Sequence, residues 1–147
     1  MLDPGFLWLL LADGRRARIL SEERRGALLQ EVTRLQIEAA DRIASRDRAA
    51  RAFDSVGAGR HAMDGGRNLH EAEEAVFLRR VADEIAAAEA RESFAHFVII
   101  APPRALGLLR AAWPERVLAR LRADLAKDLL DEADTALRER LRELLRR

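Results

Sequence analysis

His70 and Glu74 lie four residues apart, a spacing that puts both side chains on one face of a helix, where they could ligate a divalent metal. The run His70-Glu71-Ala72-Glu73-Glu74 opens like a zincin helix, but Glu74 stands where that motif has its second histidine. His61 is the candidate third ligand. An exposed acidic first turn that complements the helix dipole without any metal is the plainer reading. Just upstream, Phe53 to Arg67 reads as a glycine-rich loop holding Gly57, Gly59, Gly65 and Gly66. Glycines let a backbone approach a ligand closely, and the helix that follows offers unpaired N–H groups to an anion. A phosphate or RNA-backbone contact there would draw on Gly59, Arg60, His61, Gly65, Gly66 and Arg67. The alternative is an ordinary surface connector. The spacing matches neither a P-loop nor a dinucleotide fingerprint.

Arg15, Arg16 and Arg18 make a small basic patch, with Glu22 and Glu23 close by in sequence. Asp13 ends the first apolar run, a position where α/β enzymes place catalytic acids, but Asp13-Gly14 is equally a turn pair. Asp124, Lys127 and Asp128 could join Asp13 at one end of a sheet. His96 sits in an apolar stretch and reads as packed. There is no nucleophile elbow and no Ser/His/Asp signature. The absence of cysteine excludes thiol catalysis, cysteine-ligated zinc and a disulfide framework. A formal net charge of +1 gives no global field that would draw the chain onto nucleic acid. Lys127 is the sole lysine, so the basic surface is nearly all arginine, with its planar, bidentate donors. No cofactor is indicated.

These residues need a frame. Phe6 to Ala12 is a continuous apolar run, suited to a strand buried on both faces and too short to cross a membrane. Asp13-Gly14 turns it into Arg16–Leu20, which gives a hairpin, and Ser21 to Gly26 reads as a charged turn. Ala27 to Ser45 is ambiguous: Leu28, Val32, Leu35, Ala39 and Ile43 have helical spacing, yet Leu29 to Leu35 could pair as a third strand. Arg46 to Arg51 reads as charged and solvated. Leu69, Ala72, Val76, Phe77, Val81, Ile85 and Ala88 form one stripe of a long helix with Asn68 as its N-cap. Phe94 to Ala101 is a strand that stops at Pro102-Pro103, and Pro103 can open a helix that Trp113-Pro114 ends. Val117 to Leu125 alternates like a strand but is built from helix formers. Asp131 or Asp134 caps a last helix with Leu137, Leu141, Leu144 and Leu145 inward. The expectation is one α/β domain over residues 1–147, with a mixed sheet: an antiparallel hairpin or meander first, then alternating helix and strand. The first residues lack a positive n-region, which fits a cytoplasmic protein without membrane insertion.

Several stretches together resemble the bacterial host attachment proteins, a family named as required for attachment to host cells. They are Trp8 to Ile19, Phe53-Asp54-Ser55, Gly59-Arg60-His61-Ala62-Met63, His70-Glu71, Val98 to Arg104 with Leu106 to Arg110, and Lys127-Asp128-Leu129. That family is in turn similar to the middle domain of archaeal and eukaryotic class-I release factors. The resemblance implies a release-factor-like, RNase H-like α/β fold, a strand followed by an irregular segment after Ala27, and a strand over Leu118 to Ala126. Release factors carry Gly-Gly-Gln in the loop, where this chain reads Gly65-Gly66-Arg67. The implied role is a non-enzymatic cytoplasmic factor acting through RNA, the ribosome or a protein at Arg15, Arg16, Arg60 and Arg67. A peptidyl-tRNA release or rescue factor and a metal-dependent hydrolase are the alternatives.

Overall fold

The computed structural model describes residues 6–56 and 65–146. Ten elements follow one another: β1 (Leu7–Ala12), β2 (Arg16–Glu22), β3 (Gln30–Gln36), α1 (Ala39–Val56), α2 (Gly65–Ala90), β4 (His96–Ala101), α3 (Pro103–Ala112), α4 (Glu115–Leu118), β5 (Leu121–Ala126) and α5 (Asp134–Leu145). They build one mixed five-stranded sheet in the order β3-β2-β1-β4-β5. The β1–β2 and β2–β3 pairs are antiparallel, and β4 and β5 run parallel to β1. This is the hairpin followed by alternating helix and strand that the sequence predicts.

β1 is buried along its whole length, because sheet and helices cover both its faces. Trp8, Leu10 and Ala12 look toward α2 and α3, where they meet Phe77, Val81, Ile85 and Leu109. Leu7, Leu9 and Leu11 look the other way, toward Leu137, Leu141 and Leu144 of α5. The first core also stacks Trp8, Phe94, Phe97 and Trp113, whose successive ring centroids lie 5.2–5.4 Å apart. The Trp113 indole N–H donates to the Ala82 carbonyl at 2.9 Å, so its one polar atom is satisfied.

Several boundaries depart from the sequence reading. β2 does not stop at Leu20: Ser21 and Glu22 extend it and are buried. Cross-strand pairing of Glu22 with Leu7 outweighs the charge of the segment. The ambiguous stretch divides into β3 and then a regular helix, not an irregular segment. Its helical spacing is coincidental, since Leu28 and Val32 are exposed while Leu35 packs on the core. α1 begins where the Asp41 carboxylate accepts the Glu38 N–H at 2.8 Å, half of a capping box. No glycine or proline interrupts it before Val56, so Phe53–Val56 are helix rather than loop. α2 likewise starts at Gly65, four residues before Leu69, which takes Gly65-Gly66-Arg67 and Asn68 into the helix. A first turn has no preceding turn to bond to, so weak helix formers are tolerated there. The last departure is α5, whose N-cap is Ala133 with no side-chain cap, while Asp131 and Asp134 pair with arginines instead. β5 is the strand that the resemblance implies, from Leu121 onward, with α4 ahead of it.

Candidate functional site

The carboxyl ends of β1 and β4 and the first turns of α2 meet at one end of the sheet. The β1–β2 turn is built by Asp13, whose Oδ1 accepts the N–H groups of Arg15 and Arg16, both at 2.7 Å. Its own N–H donates to the Arg16 carbonyl at 3.0 Å. Asp13 is therefore turn chemistry, the plainer of its two readings. The turn leaves Gly14 against α2: a Cβ there would stand 2.5 Å from Cδ of Glu74. It also aims Arg15 at the same helix. One Arg15 nitrogen lies 3.0 Å from Nδ1 of His70 and another donates to Oε2 of Glu73 at 3.4 Å. Because a guanidinium only donates, this His70 nitrogen is an acceptor, and the ring carries its proton on Nε2. Glu73 is buried beneath the pair.

α3 supplies the other side. Arg104, its second residue, donates to Oε2 of Glu74 at 2.9 Å and reaches the Glu71 carbonyl at 3.5 Å. Arg67 sits 3.8 Å from Glu71 one turn along α2, and its side chain is 81% exposed. Every basic group described here thus has an acid beside it. Arg16 leaves the patch altogether. It turns to the opposite face of the sheet, where its two terminal nitrogens donate to the two oxygens of Asp131 at 3.2 and 3.3 Å. Hydrogen bonding to Arg16 holds the Asp131 carboxyl below the usual range and raises the guanidinium in turn. An open cleft of about 570 Å³ runs from this pair past Arg18, Arg34 and Arg80, with Glu38, Asp131 and Asp134 as countercharges.

Of the predicted site residues, the structure brings Arg15, His70 and Glu74 together with Gly66 and Arg67 on the adjoining turn of α2. It parts Arg16 from Arg15, and Gly65 opens α2. Gly59, Arg60 and His61 lie outside the described residues. Of the acids expected at this end, Asp13 and Asp128 act on Arg16, whereas Asp124 pairs with Arg110. His70 and Glu74 share a helix face as predicted, but each is engaged by an arginine. Among the described residues no group of three or more His, Asp or Glu side chains is placed to hold a metal ion. Glu73 and Arg104 were missed as site residues. Arg104 had a signal: it follows the strand–proline junction Ala101-Pro102-Pro103 and so must project near the end of β4. Glu73 had none beyond its place one turn from Leu69 and Phe77.

The sequence pattern of one protein family, described as "Protein required for attachment to host cells", matches residues 8–141, which is most of the chain. No curated protein matches it.

Proposed function

The chain belongs to the family of proteins required for attachment to host cells, and from that premise we propose a non-enzymatic cytoplasmic factor whose protein partner docks at the carboxyl end of the sheet. One observation carries the reading: each group there with catalytic potential is already held by an arginine. Arg15 takes His70 and Glu73, and Arg104 takes Glu74. A general base needs a free lone pair directed at substrate. These side chains instead fix one another and present a rigid surface of mixed charge. A phosphate would have to displace a carboxylate to reach Arg15 or Arg104, which favours a protein over RNA. Hydrolysis of peptidyl-tRNA has little support, since Arg67 stands where release factors carry glutamine and cannot accept a hydrogen bond from water. Any effect on attachment would run through the partner. Among the described residues no helix is long and apolar enough to cross a membrane.

The test is capture of partners by the tagged full chain from its own lysate, with and without ribonuclease. The expected result is a ribonuclease-resistant protein that is lost from a chain carrying Arg67→Glu and Arg104→Glu and retained by Arg91→Glu, at the far end of α2. Capture of RNA or ribosomes that ribonuclease abolishes would replace the protein partner with RNA. Capture unchanged by the double charge reversal would remove the partner from this end of the sheet.

A further inference from the structure

At the other end of the sheet, Glu22 closes β2 and lies under the turn that leads toward β3. The last turns of α5 pack beside it. Between them is a hollow of about 240 Å³. We propose that this hollow is an anion site that takes a small organic phosphate.

Charge is the first argument. The lining holds Arg25, Arg138, Arg142 and Arg146 against one carboxylate, Glu22, so four positive charges and one negative leave +3. The whole chain carries only +1. Arg142 also pairs with Glu139 on the helix surface at 2.9 Å, which moderates the field without removing it. Arg138, Arg142 and Arg146 recur every four residues, so they stack along one face of α5. Like charges at that spacing repel. Favourable interaction with the carboxyl end of the helix dipole offsets some of this repulsion, but it does not require all three to face a hollow. A bound anion would relieve it directly.

Geometry is the second argument. Arg138 is anchored, donating to the Gly26 carbonyl at 2.7 Å, which fixes its guanidinium at the rim. Gly26 takes a positive φ of 84°, so the turn that presents Arg25 is set by a residue suited to that conformation. Planar guanidinium forks match the oxygens of a phosphate. Leu141 and Leu145 supply an apolar wall for the organic part. The hollow has room for a phosphate and a few carbons.

Glu22 gives the site a proton. Burial pushes its carboxyl up, against the lowering effects of the Gly26 amide, Arg138 and Arg25. The charged groups that act on it are Arg138 from α5 and Arg25 from the turn, while Arg142 and Arg146 line the same hollow. An entering anion favours the protonated form further, and the neutral carboxyl can then donate to a phosphate oxygen.

Calorimetric titration of the full chain tests this with three probes: glycerol 3-phosphate, sulfate, and vesicles containing phosphatidic acid. Glycerol 3-phosphate is expected to bind more tightly than about 1 mM and to weaken by about tenfold or more in Arg25→Ala and in Arg146→Ala. Both side chains lie at exposed positions, so their removal leaves the core intact. Sulfate keeps its charge throughout, so its affinity should rise as the pH is lowered and Glu22, whose carboxyl burial pushes up, gains its proton. In Glu22→Gln that affinity should become independent of pH. Vesicle binding that glycerol 3-phosphate displaces would place the phosphate on a lipid headgroup, and binding of the soluble ester alone would place it on a metabolite. Failure of all three probes, or binding that survives both arginine substitutions, overturns the site.

Discussion

At Gly14 an added methyl group would stand 2.5 Å from Cδ and 2.7 Å from Cγ of Glu74. The glutamate chain can swing aside, but doing so pulls it from Arg104. Gly14→Ala should therefore cost about 1 kcal/mol, and much less when Glu74 is already alanine. Urea unfolding of the two single variants and the double measures that coupling, and additive costs would contradict the contact. Glu92 offers the opposite case. It has a φ of 57°, in the left-handed region, at the end of α2. The Ser93 N–H returns to the Ala88 carbonyl and the Glu92 N–H to Glu89, which makes it the left-handed residue of a Schellman closure. Glu92→Gly should stabilise the protein by about 1 kcal/mol, read as a higher urea midpoint with an unchanged slope.

Among the elements, α1 is held on α2 by a polar contact. Asp41 and Ser45, one turn apart, are its buried described residues, and Arg80 of α2 bonds both Asp41 oxygens, at 3.1 and 2.9 Å. Burial alone would raise the Asp41 carboxyl. Hydrogen bonds from Arg80 and from the Glu38 amide outweigh it and hold the group below the usual range. A depressed acid stabilises the fold above its unfolded value and loses that contribution as pH falls. Asp41→Asn should cost about 2 kcal/mol at neutral pH and should flatten the loss of stability below about pH 4. Thermal unfolding across that range checks both. The same contact explains what the sequence concealed. Apolar periodicity found α2 and α5, because their stripes face cores built from Phe77, Ile85, Leu137 and Leu141. It could not find α1, whose buried residues, among those described, are an aspartate and a serine. β5 was obscured for a related reason: its residues are helix formers, and its place beside β4 makes it a strand. Of the site, the Asp13-Gly14 turn and the helix face shared by His70 and Glu74 were legible locally. The partnership of Arg15 with Glu73 joins residues 58 apart and depends on the sheet order.

For the molecule as a whole, the sheet order governs how the parts assemble. β1 lies at the centre between β2 and β4, and the two cores share it. Leu7 pairs with Glu22 on one side and with His96 on the other. The first partner is close in the chain and the second is far away. During synthesis at about 5–20 residues per second, the strand Leu-Trp-Leu-Leu-Leu-Ala would be paired along one edge within a few seconds. It would then wait roughly another 4–15 s for β4. Chains halted at Ala90 would retain that state. They should aggregate or be captured by chaperones, whereas chains reaching Leu145 should be soluble, and sedimentation of the two after translation in vitro distinguishes them. The most apolar strand is made first and sheltered late, so the newborn chain needs protection before it has a function.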